Sequence, residues 1–229
     1  VVTEGPLGAS AIGAARALGI PVVSEFHTNF HAYSRHYGFG WLEDLVALHL
    51  RRLHNRSRLT LVPSHQLGID LVRRGYRGVR VVARGVDTRL FNPARRSDAL
   101  RAAWKVADDE LVVAHVGRLA PEKNLPLVLS TFDAIQRYAP RARLLLVGDG
   151  PMRRKLEKTH PQHIFSGMRH GEDLAAHYAS ADLFLFPSMT ETYGNVTLEA
   201  LASGLPVVAY RMAAAAELIR HGDNGMLAA

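Results

Sequence analysis

The sequence contains no cysteine, which removes disulfide frameworks, thiolate metal sites and cysteine nucleophiles from consideration and leaves a lean toward a cytoplasmic location. No apolar run reaches the ~18 residues that a membrane-crossing helix requires. The chain opens at Val1-Val2-Thr3-Glu4 with neither a methionine nor a charged-then-apolar leader, and it reads as a piece of a longer protein. Its arginines are not interleaved with aromatics in any nucleic-acid-binding module, so nucleic acid is not an expected partner.

What is present is ample material for a packed interior: 229 residues, 48% of them apolar and 21% charged, enough for one large or two modest domains. The formal charge of +7 is uneven. Residues 1–96 hold 14 Lys/Arg against 6 Asp/Glu, a net +8, whereas the remainder holds 14 against 15. The basic front part suits an anionic partner such as a lipid surface or a phosphorylated substrate; an arginine-rich surface that serves solubility is the competing explanation.

From Glu110 onward, short β-rich runs alternate with amphipathic helical stretches. Strands are predicted at 111–117, 142–148, 163–167, 183–187 and 206–210, and helices at 124–138, 151–158, 171–179, 195–203 and 213–220. Continuous apolar strands separated by helices indicate a parallel sheet covered on both faces. The front half follows the same grammar incompletely, with strands near 1–3, 21–25, 59–63 and 79–82 and helices near 7–18, 38–55 and 65–75. The polar, turn-rich "RGVDTRLFNPARRSD" (84–98) connects the two sheets. The expected fold is therefore α/β, with a partial first Rossmann-like domain and linker over 1–96 and a second over 97–229.

Ligands of open parallel sheets bind beyond the carboxyl ends of the strands. After the strand at 111–117 comes "GRLAPEKN", in which Gly117, Arg118 and Lys123 offer close backbone approach and two cations beside a helix start, as a diphosphate requires; a surface loop with scattered charge is the alternative. After 183–187 comes "PSMTETYGNVTLEA". Glu191 lies in its loop, Gly194 permits the turn, and Asn195 is placed to cap the helix carrying Glu199. With a helix start between them, the two glutamates cannot form the facing pair of a glycosidase or the oxygen cluster of a hard-metal site. Hydrogen-bond acceptors for sugar or ribose hydroxyls describe them better, against two surface glutamates favoured by the helix dipole.

Two other signals carry less. "GDG" at 148–150 reads as a turn and not a dinucleotide fingerprint, because "GDGPMRRK" lacks the close-packing glycine pattern. His27, His31 and His36 lie four and five residues apart without an accompanying ligand set. His27, nearest its strand end, is the one placed to face a ligand held between the two sheets.

Taken together, "GRLAPEKN", "LVGDGP", "ADLFLFPSMTETYGNVTLEALASGLPVVAY" and "AELIRHGDNGML", in this order and spacing, resemble the carboxyl-terminal half of the large retaining GT-B glycosyltransferase family known as family 4. Its signature is Glu, seven residues and Glu, here Glu191 and Glu199. In the front half "FHTNF", "VPS" and "RGVD" resemble the family's acceptor-side loop, a later strand end and the interdomain segment.

The resemblance implies a GT-B architecture, two Rossmann-like domains facing a cleft, the first incomplete here. It further implies a UDP- or GDP-sugar donor, a lipid or saccharide acceptor, no cofactor and no bound metal. By that resemblance Arg118, Lys123, Glu191 and His27 form the catalytic set. Gly117, the backbone from Tyr193 through Gly194 and Asn195 to Val196, Glu199 and the Met168-Arg169 pair bind the donor, with Met168-Arg169 at the base edge. "RMAAAAELI" departs from the glycine pair usual before "ELI" and, with "TETYGN", resembles a lipid-modifying mannosyl- and sulfoquinovosyltransferase subset. That points to a glycolipid acceptor and to peripheral membrane association through the basic front part. The glycine-rich loop and the terminal crossing helix of the family are not found in the sequence, so an inactive nucleotide-sugar-binding module is the second expectation.

Overall fold

The computed structural model describes residues 1–26 and 43–229. The chain divides into two compact units, one of residues 1–84 with 190–193, the other of 85–189 with 194–229. Among the described residues no helix is long and apolar enough to cross a membrane.

In the first unit α1 (Pro6–Ala17), β1 (Val23–Glu25), α2 (Glu43–His54), β2 (Leu59–Val62), α3 (His65–Arg73) and β3 (Val79–Val81) follow in order. The three strands form a parallel sheet in the order β1-β2-β3. Ser64 starts α3 by accepting the Leu67 N–H at 3.3 Å, the side-chain cap that a helix amino terminus favours. Phe26, Leu50, Val62, Leu71 and Tyr76 make the apolar core. Beside it Ser24 and His54, both buried, meet at 2.9 Å. Residues 1–3 form no strand, contrary to the pattern read there, although the Val1 carbonyl accepts the Glu25 N–H at 2.9 Å. The expected helix over 38–55 is described as Glu43–His54; residues 38–42 lie outside the described residues.

The second unit opens with a short 3₁₀ turn, Pro93–Arg95, and α4 (Asp98–Ala103). It continues β4 (Val112–Val116), a 3₁₀ turn (Pro121–Lys123), α5 (Leu125–Gln136), β5 (Arg143–Val147), α6 (Arg153–Thr159) and β6 (Ile164–Gly167). Then come α7 (Gly171–Ala179), β7 (Leu183–Phe186), α8 (Asn195–Ala202), β8 (Val207–Tyr210), α9 (Ala213–Leu218) and β9 (Gly225–Ala228). The five predicted strands are present, and β9 is a sixth that the sequence pattern missed. All pair in parallel in the order β6-β5-β4-β7-β8-β9, so the direction of winding reverses between β4 and β7.

Alternation along the strands supplies both faces of the sheet. Val112, Ala114, Val116, Phe184, Phe186 and Val207 pack with Tyr178 and Ala200 from α7 and α8. Val113, Leu144, Leu146 and Leu185 pack with Leu125, Val128 and Phe132 from α5. Every residue of β4 is buried, as expected of a central parallel strand covered on both sides.

A buried cation ties the amino-terminal edge of this sheet together. Arg101 of α4 is 0% exposed. Its guanidinium donates to the carbonyls of Ala107 and Glu110 at 2.7 Å each and of Ser180 at 3.0 Å, and to Asp182 Oδ2 at 3.0 Å. Asp182 Oδ2 in turn accepts the Val112 N–H at 2.8 Å, so the start of β4 and the turn before β7 share one hub. Four acceptors shared between Nη1 and Nη2 suit the fork of a guanidinium better than an ammonium. Arg101→Ala leaves buried acceptors without donors and is expected to lower the unfolding free energy by about 3 kcal/mol. Arg101→Lys recovers only part of this, read from the shift in urea midpoint.

Candidate nucleotide-binding site

The carboxyl ends of β4 and β7, where the winding reverses, are the place a parallel sheet offers a ligand. Three loops meet on the β4 side through their backbones. Gly117 N–H donates to Val147 O at 3.0 Å, Leu119 N–H to Asp149 O at 2.9 Å, and Gly148 N–H to Gly167 O at 2.8 Å. At Gly148 the packing leaves no room for a side chain. A Cβ on Gly148 would sit 2.0 Å from Gly117 O, and Gly148 adopts φ +135°. The "GDG" is thus a turn, as expected, and its first glycine lets the loop bearing Arg118 lie against β5.

Arg118 projects outward, its side chain 58% exposed, with Nη1 3.5 Å from Glu122 Oε1. Glu122, four residues on, is buried at 3%, so the arginine is oriented by a carboxylate that the protein shields. Lys123 ends the 3₁₀ turn just before α5, and its Nζ lies 5.7 Å from the centre of the Phe186 ring, within cation–π range. Phe186 stacks in turn on His115 at 5.8 Å. His115 is fully buried, and its Nδ1, 3.0 Å from the Leu185 carbonyl, carries the proton, since a carbonyl can only accept.

On the β7 side, α8 starts differently from the sequence expectation. Gly194, at φ 88° in the left-handed region, is the cap residue, and Asn195 is the first helical residue. No side chain among the described residues caps this helix, which corrects the expected role of Asn195. The turn demands a positive φ that glycine adopts without strain, and it displaces the cap by one position. The first N–H groups of α8, at Asn195 and Val196, therefore have no intrahelical partner and lie at the positive end of the helix dipole.

Glu199 lies one turn into α8, half-buried. Its Oε2 accepts a hydrogen bond at 2.9 Å from the hydroxyl of Tyr178, which is 0% exposed. Burial raises the Glu199 carboxyl above the ordinary carboxylate range, and the Tyr178 hydrogen bond opposes that rise. Burial, followed by the Glu199 charge, pushes the Tyr178 hydroxyl well above its usual value, so the phenol stays protonated and donates.

Met168 and Arg169 follow β6. Met168 is exposed, whereas the Arg169 guanidinium turns back onto its own loop, with Nε 2.8 Å from Ser166 O and Nη1 2.9 Å from Asp173 Oδ2. Glu191 and Tyr193 group with the first unit and Glu199 with the second; Glu191 is half-buried and Tyr193 buried. His27, like His31 and His36, lies outside the described residues. Among the described residues no group of three or more His, Asp or Glu side chains is arranged to hold a metal ion. In the "RMAAAAELI" loop, Ala213 has φ 49°, a left-handed conformation that costs an L-residue about 1 kcal/mol. The backbone there keeps a shape natural to glycine although the residue is alanine.

Gly117, Arg118, Lys123, Gly194, Asn195, Val196 and Glu199 thus converge on the ends of two adjacent strands, with Met168 and Arg169 two strands away. Glu122, Phe186, His115 and Tyr178 support them and were missed from the sequence. Only Glu122 carried a legible signal, a carboxylate four positions after an arginine.

A six-stranded parallel sheet with cations, close-lying glycines and an uncapped helix start at its switch point defines a Rossmann-type unit whose switch point suits an anionic ligand. Residues 110–229 match the family model of glycosyl transferases group 1, and residues 1–90 that of glycosyltransferase family 4. The chain belongs to this glycosyltransferase family, and its fold is the α/β GT-B class.

It is similar to the sulfoquinovosyl transferase SQD2 of Arabidopsis thaliana, 39% identical over 94% of this chain and 42% of that protein. It is also similar to a GDP-mannose-dependent alpha-mannosyltransferase of Corynebacterium glutamicum, 38% identical over 96% of this chain and 52% of that protein. Among solved structures, Anabaena HepE in complex with UDP and glucose superposes with a TM-score of 0.79 at 26% identity, covering 99% of this chain and 62% of that one. The chain spans about half the length of the curated relatives it matches.

Gly148→Ala tests the backbone seam. The added methyl collides with Gly117 O, and the substitution is expected to cost about 2 kcal/mol or more and to weaken stabilisation by nucleotide diphosphates in thermal denaturation. Gly85→Ala, where nothing lies within 4 Å of the new Cβ, is the control and is expected to change little.

Proposed function

We propose that the protein is a metal-independent retaining glycosyltransferase that moves a hexose from a UDP- or GDP-sugar to a hydroxyl of a lipid or saccharide. The observation that carries this reading is the pairing, at one switch point, of Arg118 and Lys123 with the uncapped start of α8. Two cations and a helix amino terminus stabilise a diphosphate, and they do so most strongly as charge builds on it during departure.

In this proposal Arg118 and Lys123 hold the diphosphate, with Gly117 admitting it close to the backbone. The backbone of Tyr193, Gly194, Asn195 and Val196 meets phosphate or sugar, Glu191 takes donor-sugar hydroxyls, and Glu199 takes the ribose hydroxyls. Met168 and the backbone of Arg169 meet the base edge, since the Arg169 guanidinium is engaged within its own loop. His27 approaches the donor from the acceptor side. In the reaction the bond from the anomeric carbon to the diphosphate oxygen breaks and the bond to the acceptor oxygen forms on the same face. The acceptor proton passes to the leaving diphosphate. Rate enhancement then comes from positioning and preorganised charge, without a dedicated base.

Relatives named as an alpha-monoglucosyldiacylglycerol synthase and a phosphatidylinositol dimannoside mannosyltransferase support a glycolipid acceptor. With the arginine-rich residues 1–96 they support action at the cytoplasmic face of a membrane, held there peripherally. The protein is accordingly expected to co-sediment with vesicles containing anionic lipid and to be released as salt is raised through the physiological range. Equal binding to neutral vesicles would count against it.

Donor binding and turnover are separable by experiment. UDP or GDP is expected to raise the melting temperature, and the matching UDP- or GDP-sugar to be hydrolysed to free sugar and nucleoside diphosphate; stabilisation without hydrolysis supports an inactive binding module, and stabilisation by NAD instead would overturn both readings. In the full-length protein Lys123→Ala or Glu191→Ala is expected to lower turnover by at least ~10²-fold, the scale of one preorganised charge contact. Near-normal turnover would remove that residue from the catalytic set.

A further inference from the structure

Glu199 is not a carboxylate on an open surface. Among the described residues the Tyr178 hydroxyl, 2.9 Å away, is its hydrogen-bond partner. The Tyr178 ring cannot swing away, because it stands edge-on to Phe91 at 5.8 Å and tilted against Phe184 at 5.7 Å within the core of the second unit. The phenol therefore reaches Glu199 from below, out of the packed interior, as a donor whose position is set by the fold before any ligand arrives. A carboxylate has about four lone-pair sites. One is satisfied from the core, and the remaining sites are those the proposed function gives to ribose hydroxyls.

We propose that Tyr178 is a positioning residue for donor binding: its buried hydroxyl holds the Glu199 carboxylate turned toward the vicinal diol of the donor's ribose. The proposal rests on the assignment of Glu199 to the ribose. Removal of the hydroxyl has two consequences. The carboxylate loses its fixed orientation, and its titration loses the one contribution that holds it down against burial.

The elements packed against α8 are α7, β8 and α9. They carry Glu172, Asp173, His177 and Tyr178, then Tyr210, then Glu217. Of these, Tyr178 is the group whose interaction moves the Glu199 carboxyl. The sign follows directly: the ionised carboxylate binds the diol, so affinity is lost as pH falls through its pKa. Without Tyr178 that loss begins at higher pH.

The test is Tyr178→Phe in the full-length protein, with UDP and GDP binding measured by calorimetry from pH 5 to 8 alongside the 2′,3′-dideoxy nucleotides. The variant is expected to bind ribonucleotides about tenfold more weakly, to raise KM with little change in kcat, and to shift the acid limb of the binding profile upward. It should bind the dideoxy nucleotides as the parent does. An unmoved acid limb, or an equal loss for dideoxy nucleotides, overturns the proposal. Glu199→Gln, run in parallel, separates the two levels: if it leaves discrimination between ribo- and dideoxynucleotides intact, the ribose assignment itself fails. If it abolishes discrimination while Tyr178→Phe does not shift the acid limb, the Tyr178 proposal alone fails. Should Tyr178→Phe not fold, the parent protein decides: its preference for ribo- over dideoxynucleotides must fall as pH drops, and a pH-independent preference overturns the proposal.

Discussion

The backbone contact between the loops after β4 and β5 is the constraint on which the site depends. Gly148 lies so close to Gly117 O that a Cβ would stand 2.0 Å from it, and the same seam continues through Leu119 and Asp149 to Gly150. Because these loops are fixed to each other through main chain, the positions of Arg118, Glu122 and Lys123 follow from the sheet itself and not from flexible side-chain contacts. A charge held in place before a ligand arrives needs no reorganisation when it is used. Backbone-to-backbone fixation provides that at little entropic cost in side chains.

The two ends of the second sheet are secured by opposite means. At the amino-terminal edge a buried guanidinium gathers three carbonyls and the Asp182 carboxylate. At the carboxyl-terminal edge glycine creates closeness by the absence of side chain, and polar groups are kept available. Stability and chemistry are thereby placed on separate edges, as parallel α/β sheets allow. The polar groups that do enter the site are each backed from the interior: Arg118 by buried Glu122, Lys123 by Phe186, Glu199 by Tyr178.

The fold of the second unit was legible in the sequence because its strands are buried on both faces and so appear as unbroken apolar runs, "LVVAHVG" and "LFLFP" among them. β9 escaped because Gly225–Ala228 alternates buried and exposed positions and begins with a glycine in a turn-rich stretch, which hides a strand in single-sequence reading. Asn195 was read as a cap because its side chain suits that role, yet the positive φ of Gly194 moved the cap one residue earlier. Tyr178 could not be read at all. It lies 21 positions from Glu199 in an ordinary amphipathic helix, and only the packing of α7 beside α8 brings the two together.

The start of α8 also accounts for the distance between the two glutamates. From Asn195 to Glu199 is four residues, slightly more than one turn of helix and a rise of about 6 Å, so Glu199 lies nearly above Asn195 on the same side of the helix. The remainder of the interval, Thr192 to Gly194, is the turn that starts the helix. The interval thus joins a turn to a little more than one helical pitch, and a single residue inserted between Asn195 and Glu199 would rotate the Glu199 side chain by about 100° relative to the start of α8.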